Sequence, residues 1–162
     1  MRAKGRSSME QTSERVKPRA DFWLVVVAAC AGAFAVAYNT TAVMTALPAI
    51  KSSLDLDVDT LQWVINLYML SAAVMLAAMG HFGDTFGLTR IFAVGLGLFG
   101  LGSVTIALSD DAVVLLAGRS SQGLGVAALM ATSVALISVS APLQKRASAL
   151  GFWAASVAIG FA

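Results

Sequence analysis

Residues 22–50 read FWLVVVAACAGAFAVAYNTTAVMTALPAI and contain no charged side chain. A helix needs about 20 mostly apolar residues to cross the hydrocarbon core of a bilayer, so this stretch is long enough to do so. A helix on the surface of a soluble domain would keep a polar face, and this stretch has none. The sequence therefore predicts that the chain enters a membrane here.

The same pattern recurs along the chain. Charged residues make up 12% of the 162 residues and hydrophobic residues 58%, whereas soluble domains carry about 25% charged residues. We predict an all-α, polytopic membrane bundle in residues 22–162, preceded by a basic tail without regular structure in residues 1–21. The predicted helices cover about 22–47, 60–79, 90–108 and 112–139, followed by a fifth, shortened helix over 145–162.

Basic residues fall mainly on one side of this topology, and the cytoplasmic side of a membrane protein is usually the one that holds them. The sequence therefore predicts a multi-pass protein of the plasma membrane with a cytoplasmic N-terminus. The tail could also form a patch for nucleic acid or anionic lipid, but we favour a solvated tail and expect the bilayer, not nucleic acid, as partner. The loops on the opposite side hold only Lys51, whereas the predicted cytoplasmic side holds Arg2, Lys4, Arg6, Arg15, Lys17, Arg19, Arg90, Lys145 and Arg146.

Small residues are concentrated in the third and fourth predicted helices. They let membrane helices approach closely, because packing rather than hydrophobicity holds such helices together in lipid. This pattern indicates a compact bundle and carries no information about function. The glycines concerned are Gly95, Gly97, Gly100, Gly102, Gly118, Gly123 and Gly125.

Arg119 is the one charged residue inside a predicted span. It lies about 12 Å from the outer end of its helix at about 1.5 Å per residue, so its side chain can either reach the surface or face the bundle interior. Gln122 follows three residues later on the same face. We hypothesise that Arg119 and Gln122 line a polar cavity.

Two asparagines are candidates for the same cavity. Asn39 belongs to the polar run YNTT at residues 38–41 and lies at a depth similar to that of Arg119. We hypothesise that it faces Arg119; the alternative is that Asn39 and its threonine neighbours only make hydrogen bonds between helices. Asn66, in the second helix, is predicted to line the cavity as well.

The acidic residues all lie in the predicted tail or loops, so no carboxylate is available inside a span for proton transfer. The only histidine is His81, in a predicted loop. No nucleophile–base pair and no metal-ligand spacing is present. We therefore expect no enzymatic activity, no catalytic residue, no metal and no cofactor.

Five segments together resemble the N-terminal part of a major facilitator superfamily transporter, and most closely the drug:proton antiporters with fourteen spans. The pair formed by the loop after the second helix and the fourth-helix segment is the more specific part of the resemblance. The segments are NTTAVMTALP at 39–48, QWVINLYML at 62–70, GHFGDTFGLTR at 80–90, RSSQGLG at 119–125 and RASALG at 146–151.

This resemblance implies roles for several residues. Gly80, Asp84, Gly87 and Arg90 would belong to a cytoplasmic gate between two halves of a transporter. Arg119 would lie in the central cavity and take part in proton coupling. The implied partners are a small-molecule substrate, protons and the remaining transporter helices, and the implied mechanism is alternating access around a site near the bilayer midplane.

The sequence also departs from the family pattern. Asn39 stands where the family has an acid, and Met44 where it has an asparagine. In the loop, Thr85, Leu88 and Thr89 replace expected basic residues. The family has twelve or fourteen spans, whereas about four and a half are predicted here.

The leading interpretation is an incomplete fragment of a transporter that exports small amphipathic compounds. One alternative is a truncated membrane protein that does not transport and acts as an assembly partner. Another is a small four-helix exporter that works as a dimer, but that class depends on a glutamate in its first helix, and this chain has none there.

Overall fold

The computed structural model describes residues 19–162, with side chains from Phe22 onward. It contains α1 (Arg19–Leu54), α2 (Val58–Phe86), α3 (Leu88–Ala107), α4 (Ala112–Ser140) and α5 (Leu143–Phe161). The first four are long and apolar enough to cross a membrane. Since the described residues contain no strand, the prediction of an all-α membrane helix bundle is confirmed. Of the predicted tail, residues 1–18 lie outside the described residues, whereas residues 19–21 belong to α1.

Two helix ends differ most from those expected from the sequence. α1 continues through Pro48 to Leu54, where an end at residue 47 was predicted. Proline removes one backbone donor and bends a helix, but the helix can resume beyond it. α2 and α3 are joined by Gly87 alone, so most of the predicted loop at 80–89 is helical. The reversal takes place at Gly87 because its φ of 99° is accessible to glycine and rarely to other residues.

Aspartates cap α2 and α4, which both begin at the end of the bundle opposite to the turn at Gly87. The Asp57 carboxylate accepts a hydrogen bond from the backbone N–H of Thr60, and that of Asp111 accepts one from Val114. Each bond satisfies one of the free donors of a helix start. Hydrogen bonds from Thr60 lower the pKa of Asp57. This cap therefore stabilises the fold above the ordinary aspartate pKa and is lost as the pH falls through the lowered value.

α4 lies at the centre of the bundle and packs against each of the other four helices. In its most apolar segment 56% of the residues are buried, compared with 28% or less in the other spans. Its sequence is rich in Gly, Ala and Ser, whose small side chains let neighbouring helices approach from several directions. A polar side chain on α4 is therefore surrounded by protein rather than by lipid.

α3 and α4 are in close contact through two glycine pairs. A Cβ atom built on Gly102 would lie 2.7 Å from the carbonyl oxygen of Gly118, and one on Gly125 would lie 2.8 Å from that of Gly95. Within each helix the two glycines are two turns apart and share one face. The predicted compact packing is thus present, and between α3 and α4 it depends on these four glycines.

α5 packs against α1 on the other side of the bundle. Gly160 makes the closest approach, because a Cβ atom there would lie 2.8 Å from the carbonyl oxygen of Phe34. Beside this contact, α1 and α5 flank an apolar groove of about 530 Å³. Its lining residues are Trp23, Val26, Val27, Cys30, Ala31, Phe34, Phe152, Ala155, Ser156 and Ile159.

Candidate functional site

Arg119 is buried in the centre of the bundle, with 3% of its surface exposed. Its Nε donates a hydrogen bond of 2.8 Å to the carbonyl oxygen of Val64 on α2. Its guanidinium lies over the ring of Tyr68, with Cζ 4.4 Å from the ring centroid, which is a cation–π contact. The side chain is therefore directed at α2 inside the bundle and does not snorkel to the membrane surface.

Gln122 links Arg119 to two further helices. Arg119 Nη1 donates to Gln122 Oε1 over 2.9 Å. Gln122 Nε2 donates to Asn39 Oδ1 on α1 over 3.2 Å and to Ser103 Oγ on α3 over 2.9 Å. Ser103 Oγ in turn donates to the carbonyl oxygen of Phe99. We call Arg119, Gln122, Asn39 and Ser103 the polar network; with Val64 it joins α1, α2, α3 and α4.

The geometry of the network follows from local structure. Arg119 and Gln122 are three residues apart on α4, a spacing that places two helical side chains side by side. Gly102 brings α3 close to the backbone of Gln122, since a Cβ atom added at Gly102 would lie 2.8 Å from the Gln122 nitrogen, so Ser103 lies within reach of the amide. The network therefore depends on the same close packing that joins α3 and α4.

Arg119 directs the amide groups of the network. Since Arg119 can only donate, it must face the oxygen of Gln122, and Gln122 then presents its NH₂ group to Asn39. Asn39 must therefore accept this hydrogen bond with its oxygen, Oδ1. Its own Nδ2 is consequently turned away from Gln122, and this atom is buried without a hydrogen-bond partner. The chain of hydrogen bonds thus ends on a free donor.

Among the described residues, only neutral groups with dipoles contact the charged guanidinium of Arg119. Its hydrogen-bond and stacking partners, Val64, Gln122 and Tyr68, are all neutral. The described acidic residues lie in the connections or at helix ends, away from the apolar segments. They are Asp55, Asp57, Asp59, Asp84, Asp110 and Asp111.

The structure brings together three of the four residues predicted to line a cavity. Asn39, Arg119 and Gln122 are hydrogen-bonded in sequence, whereas Asn66 is exposed on α2 and makes no hydrogen bond to them. Sequence reasoning did not assign Ser103 or the Val64 carbonyl to the site. A serine in an apolar helix beside a close-packed glycine is a weak signal for the first, and a backbone carbonyl gives no sequence signal at all.

The predicted gate residues lie at the other end of α2. Gly80 and Gly87 have open space where a Cβ atom would be, and Asp84 and Arg90 are exposed. The Gly87 N–H donates to the carbonyl of Gly83, and the Gly87 carbonyl accepts from Arg90 and Ile91, so this glycine ends one helix and begins the next. Within residues 19–162 the side chains of Asp84 and Arg90 are therefore available to other parts of a protein.

Comparison with known proteins adds a family and several relatives. A profile described as Major Facilitator Superfamily matches residues 29–162. The chain is 38% identical over 138 residues to the multidrug resistance protein Stp of Mycobacterium tuberculosis, an alignment that covers 85% of this chain and 26% of that protein.

Two further relatives show how varied the matching proteins are. The chain is 34% identical to the tetracenomycin C resistance and export protein of Streptomyces glaucescens, over 83% of this chain and 25% of that protein. It is 29% identical to the riboflavin transporter RibZ of Clostridioides difficile, over 85% of this chain and 30% of that protein. The chain thus spans about a quarter to a third of the length of these curated relatives.

Proposed function

Because the chain belongs to the major facilitator superfamily, we propose that it is part of a membrane transporter that exports small amphipathic compounds. The observation that carries this proposal is the polar network, which places a buried cation and two amides among four otherwise apolar helices. Polar groups are costly in a membrane interior, and where they occur they commonly mark a substrate or ion pathway. The names of two relatives, which refer to multidrug resistance and to export, support the direction of transport.

We assign the substrate and coupling site to the polar-network residues Asn39, Arg119 and Gln122. Transport would follow alternating access, in which two helix bundles rock around a site near the bilayer midplane. We propose that Gly80, Asp84, Gly87 and Arg90 form part of the cytoplasmic gate, since the two charged side chains are exposed at the turn between α2 and α3. With Asn39 in the place of an acid, a carboxylate that couples transport to protons would come from helices beyond those described.

The transport proposal requires further transporter helices, in addition to α1–α5, as partners of this chain. Relatives are about three to four times as long as the matched segment, which supports a longer polypeptide. The apolar groove between α1 and α5 is a surface that additional helices would cover, and its exposed residues include Trp23, Phe152 and Ile159. We propose that this chain forms the N-terminal helices of such a protein.

We further propose that the protein resides in the plasma membrane with its N-terminus and the α2–α3 turn in the cytoplasm. The support is the distribution of charge, because Arg90, Lys145 and Arg146 lie at one end of the bundle and Asp110 and Asp111 at the other. Single cysteines at Asp110 and at Thr89, in a chain with Cys30→Ser, provide the test. A membrane-impermeant maleimide applied to intact cells should label Asp110→Cys and not Thr89→Cys, whereas labelling with the opposite pattern would reverse the topology.

The transport proposal is tested by reading the gene in frame past codon 162 and expressing the complete polypeptide. Cells that lack their own exporters are loaded with amphipathic fluorescent dyes of either charge, and dye loss is followed after energising the membrane. We expect faster loss than in cells with an empty vector, and a decrease when a protonophore collapses the proton gradient. A stop codon directly after codon 162, together with dye retention, would contradict transport and favour the assembly-partner alternative.

A further inference from the structure

The polar network has more hydrogen-bond donors than acceptors. Arg119, Gln122 and Asn39 together carry more N–H donors than the oxygens of Gln122, Asn39 and Ser103 have lone pairs, and each of these oxygens already receives one hydrogen bond. Asn39 Nδ2 has no partner, and Arg119 donates to described residues through Nε and Nη1 only. What would complete the network is therefore an acceptor that comes from outside it.

The missing acceptor should also be negative. Arg119 is 3% exposed and remains charged under all ordinary conditions, yet its described partners are neutral. A buried cation without a counter-charge attracts an anion strongly, because little water is present to screen it. A neutral acceptor such as water would satisfy Nδ2 of Asn39 but would leave the charge uncompensated. A cationic ligand would be repelled.

From this excess of donors and the uncompensated charge of Arg119, we propose that the polar network binds an anionic group, such as the carboxylate of a transported compound. That the anionic compound is transported rests on the proposed function, but binding of an anion at the network does not depend on transport. Asn39 and Ser103 are half-buried whereas Arg119 and Gln122 are buried, so the network comes nearest to the surface of the described bundle at its Asn39 end. The Asn39 Nδ2 atom itself is buried, so an anion would reach it only when the side chains around Asn39 move apart. The anion would be held by the Asn39 NH₂ group and by the field of Arg119.

The residue type at position 39 decides whether the network is open to an external anion. An aspartate there would differ from Asn39 by one atom and would place a carboxylate beside Gln122, within the network. One of its oxygens would accept the hydrogen bond from Gln122 that Asn39 Oδ1 accepts, and its charge would offset that of Arg119. Asn39 supplies neither the charge nor the second acceptor, and the anionic ligand provides both.

The experiment uses the full chain in nanodiscs of phosphatidylcholine, a lipid without net charge. Thermal unfolding is followed by circular dichroism in a buffer of low ionic strength, with sodium benzoate, benzamide or benzylammonium as probes of equal shape and different charge. We expect benzoate to raise the unfolding midpoint in a saturable way, and benzamide to bind at least about tenfold more weakly because hydrogen bonds to a charged acceptor are the stronger ones. No response to benzoate, or an equal response to benzamide or benzylammonium, would overturn the proposal.

Two amide-to-acid variants provide the matched comparison. Asn39→Asp should abolish the response to benzoate and raise the midpoint measured without ligand, because the network then holds its own anion. Gln144→Glu makes the same chemical change at an exposed position at the start of α5 and should leave the benzoate response intact. An unchanged response in Asn39→Asp would contradict the assigned site.

If Asn39→Asp does not fold, Arg119→Lys keeps the charge but not the planar group of donors. It should weaken the benzoate response without abolishing it, and an unaltered response would overturn the site. Failure of this proposal can be told from failure of the transport proposal. Binding in nanodiscs without dye export contradicts only transport, and dye export without selective benzoate binding contradicts only the anion site.

Discussion

Gly125→Ala is expected to separate α3 from α4 and to destabilise the bundle by about 3 kcal/mol or more, the upper range for overpacking a core. The added Cβ atom would lie 2.6 Å from the backbone nitrogen of Phe99 and 2.8 Å from the carbonyl oxygen of Gly95. Backbone atoms cannot move away by a change of rotamer, so one helix must shift as a whole. The measurement is the free energy of unfolding of the chain in nanodiscs or mild detergent, compared with that of the wild type.

The shift should also break the polar network. Gln122 reaches Ser103 across this same helix contact over 2.9 Å, and a hydrogen bond of that length does not survive a displacement of about 1 Å. Gly125→Ala should therefore also weaken the response to benzoate, although residue 125 is not part of the network. This second readout connects packing between α3 and α4 to the site.

Gly97 and Gly100 provide the controls, because they lie on the same α3 helix and a Cβ atom added at either one would have no neighbour within 4 Å. Gly97→Ala and Gly100→Ala should leave stability unchanged or raise it by up to about 1 kcal/mol, since alanine favours a helix over glycine. If Gly125→Ala is as stable as these two variants, the close α3–α4 contact does not hold in the membrane.

The four glycines of the α3–α4 contact show where sequence reasoning stops. The composition of residues 91–109 and 120–144 predicts two spans that pack closely, because charge-free stretches of this length and glycines at helical spacing have that meaning. It does not indicate that Gly95 and Gly102 face α4 while Gly97 and Gly100 face away. That distinction depends on the rotation of α3 about its axis, which is set by packing against α4.

The polar network shows the same division between local and long-range information. The pairing of Arg119 with Gln122 follows from helical periodicity, and equal depth made Asn39 a candidate partner. Asn39 contacts Arg119 through Gln122 and not directly. This could not be predicted from the sequence, because it depends on how α1 and α4 are placed relative to each other. Asn66 was also predicted to line the cavity and lies outside the network, because position along a helix does not determine which of its faces meets the neighbouring helices.

Helix boundaries were the least predictable feature. Pro48 suggested the end of α1, but the helix continues to Leu54, since packing of the segment around Leu47 and Ile50 against Leu56, Val64 and Leu115 outweighs the loss of one backbone hydrogen bond. The segment 80–89 contains three glycines and was predicted to be a loop. Only Gly87 breaks the helix there, because it alone adopts a positive φ.

Arg119→Ala should reduce dye export by the complete polypeptide about 100-fold or more, as expected for the loss of two charge-assisted hydrogen bonds at a site where the partners stay buried. The substitution removes the donor to the Val64 carbonyl and to Gln122 Oε1, and with it the one charge among the apolar segments. Gln122 is then free to rotate, and Asn39 loses the interaction that fixes its orientation. Initial rates of dye loss measure the effect.

Membrane insertion should change little in the same variant, because removing a buried charge makes a span easier to insert. The amount of protein in the membrane fraction is therefore measured alongside transport and used to normalise the rates. Lys51→Ala is the matched control: it also removes one positive charge, but from an exposed side chain at the end of α1, and should export dye at the wild-type rate.

Arg119→Lys separates the two ways in which Arg119 can act. A lysine retains the charge but cannot donate in two fixed directions to Val64 and Gln122, and it stacks less well on Tyr68. Partial export in Arg119→Lys with none in Arg119→Ala would show that the positive charge is needed for transport. Equal loss in both variants would show that the fixed geometry of the guanidinium is required, and normal export in Arg119→Ala would show that the network serves only to hold the four helices together.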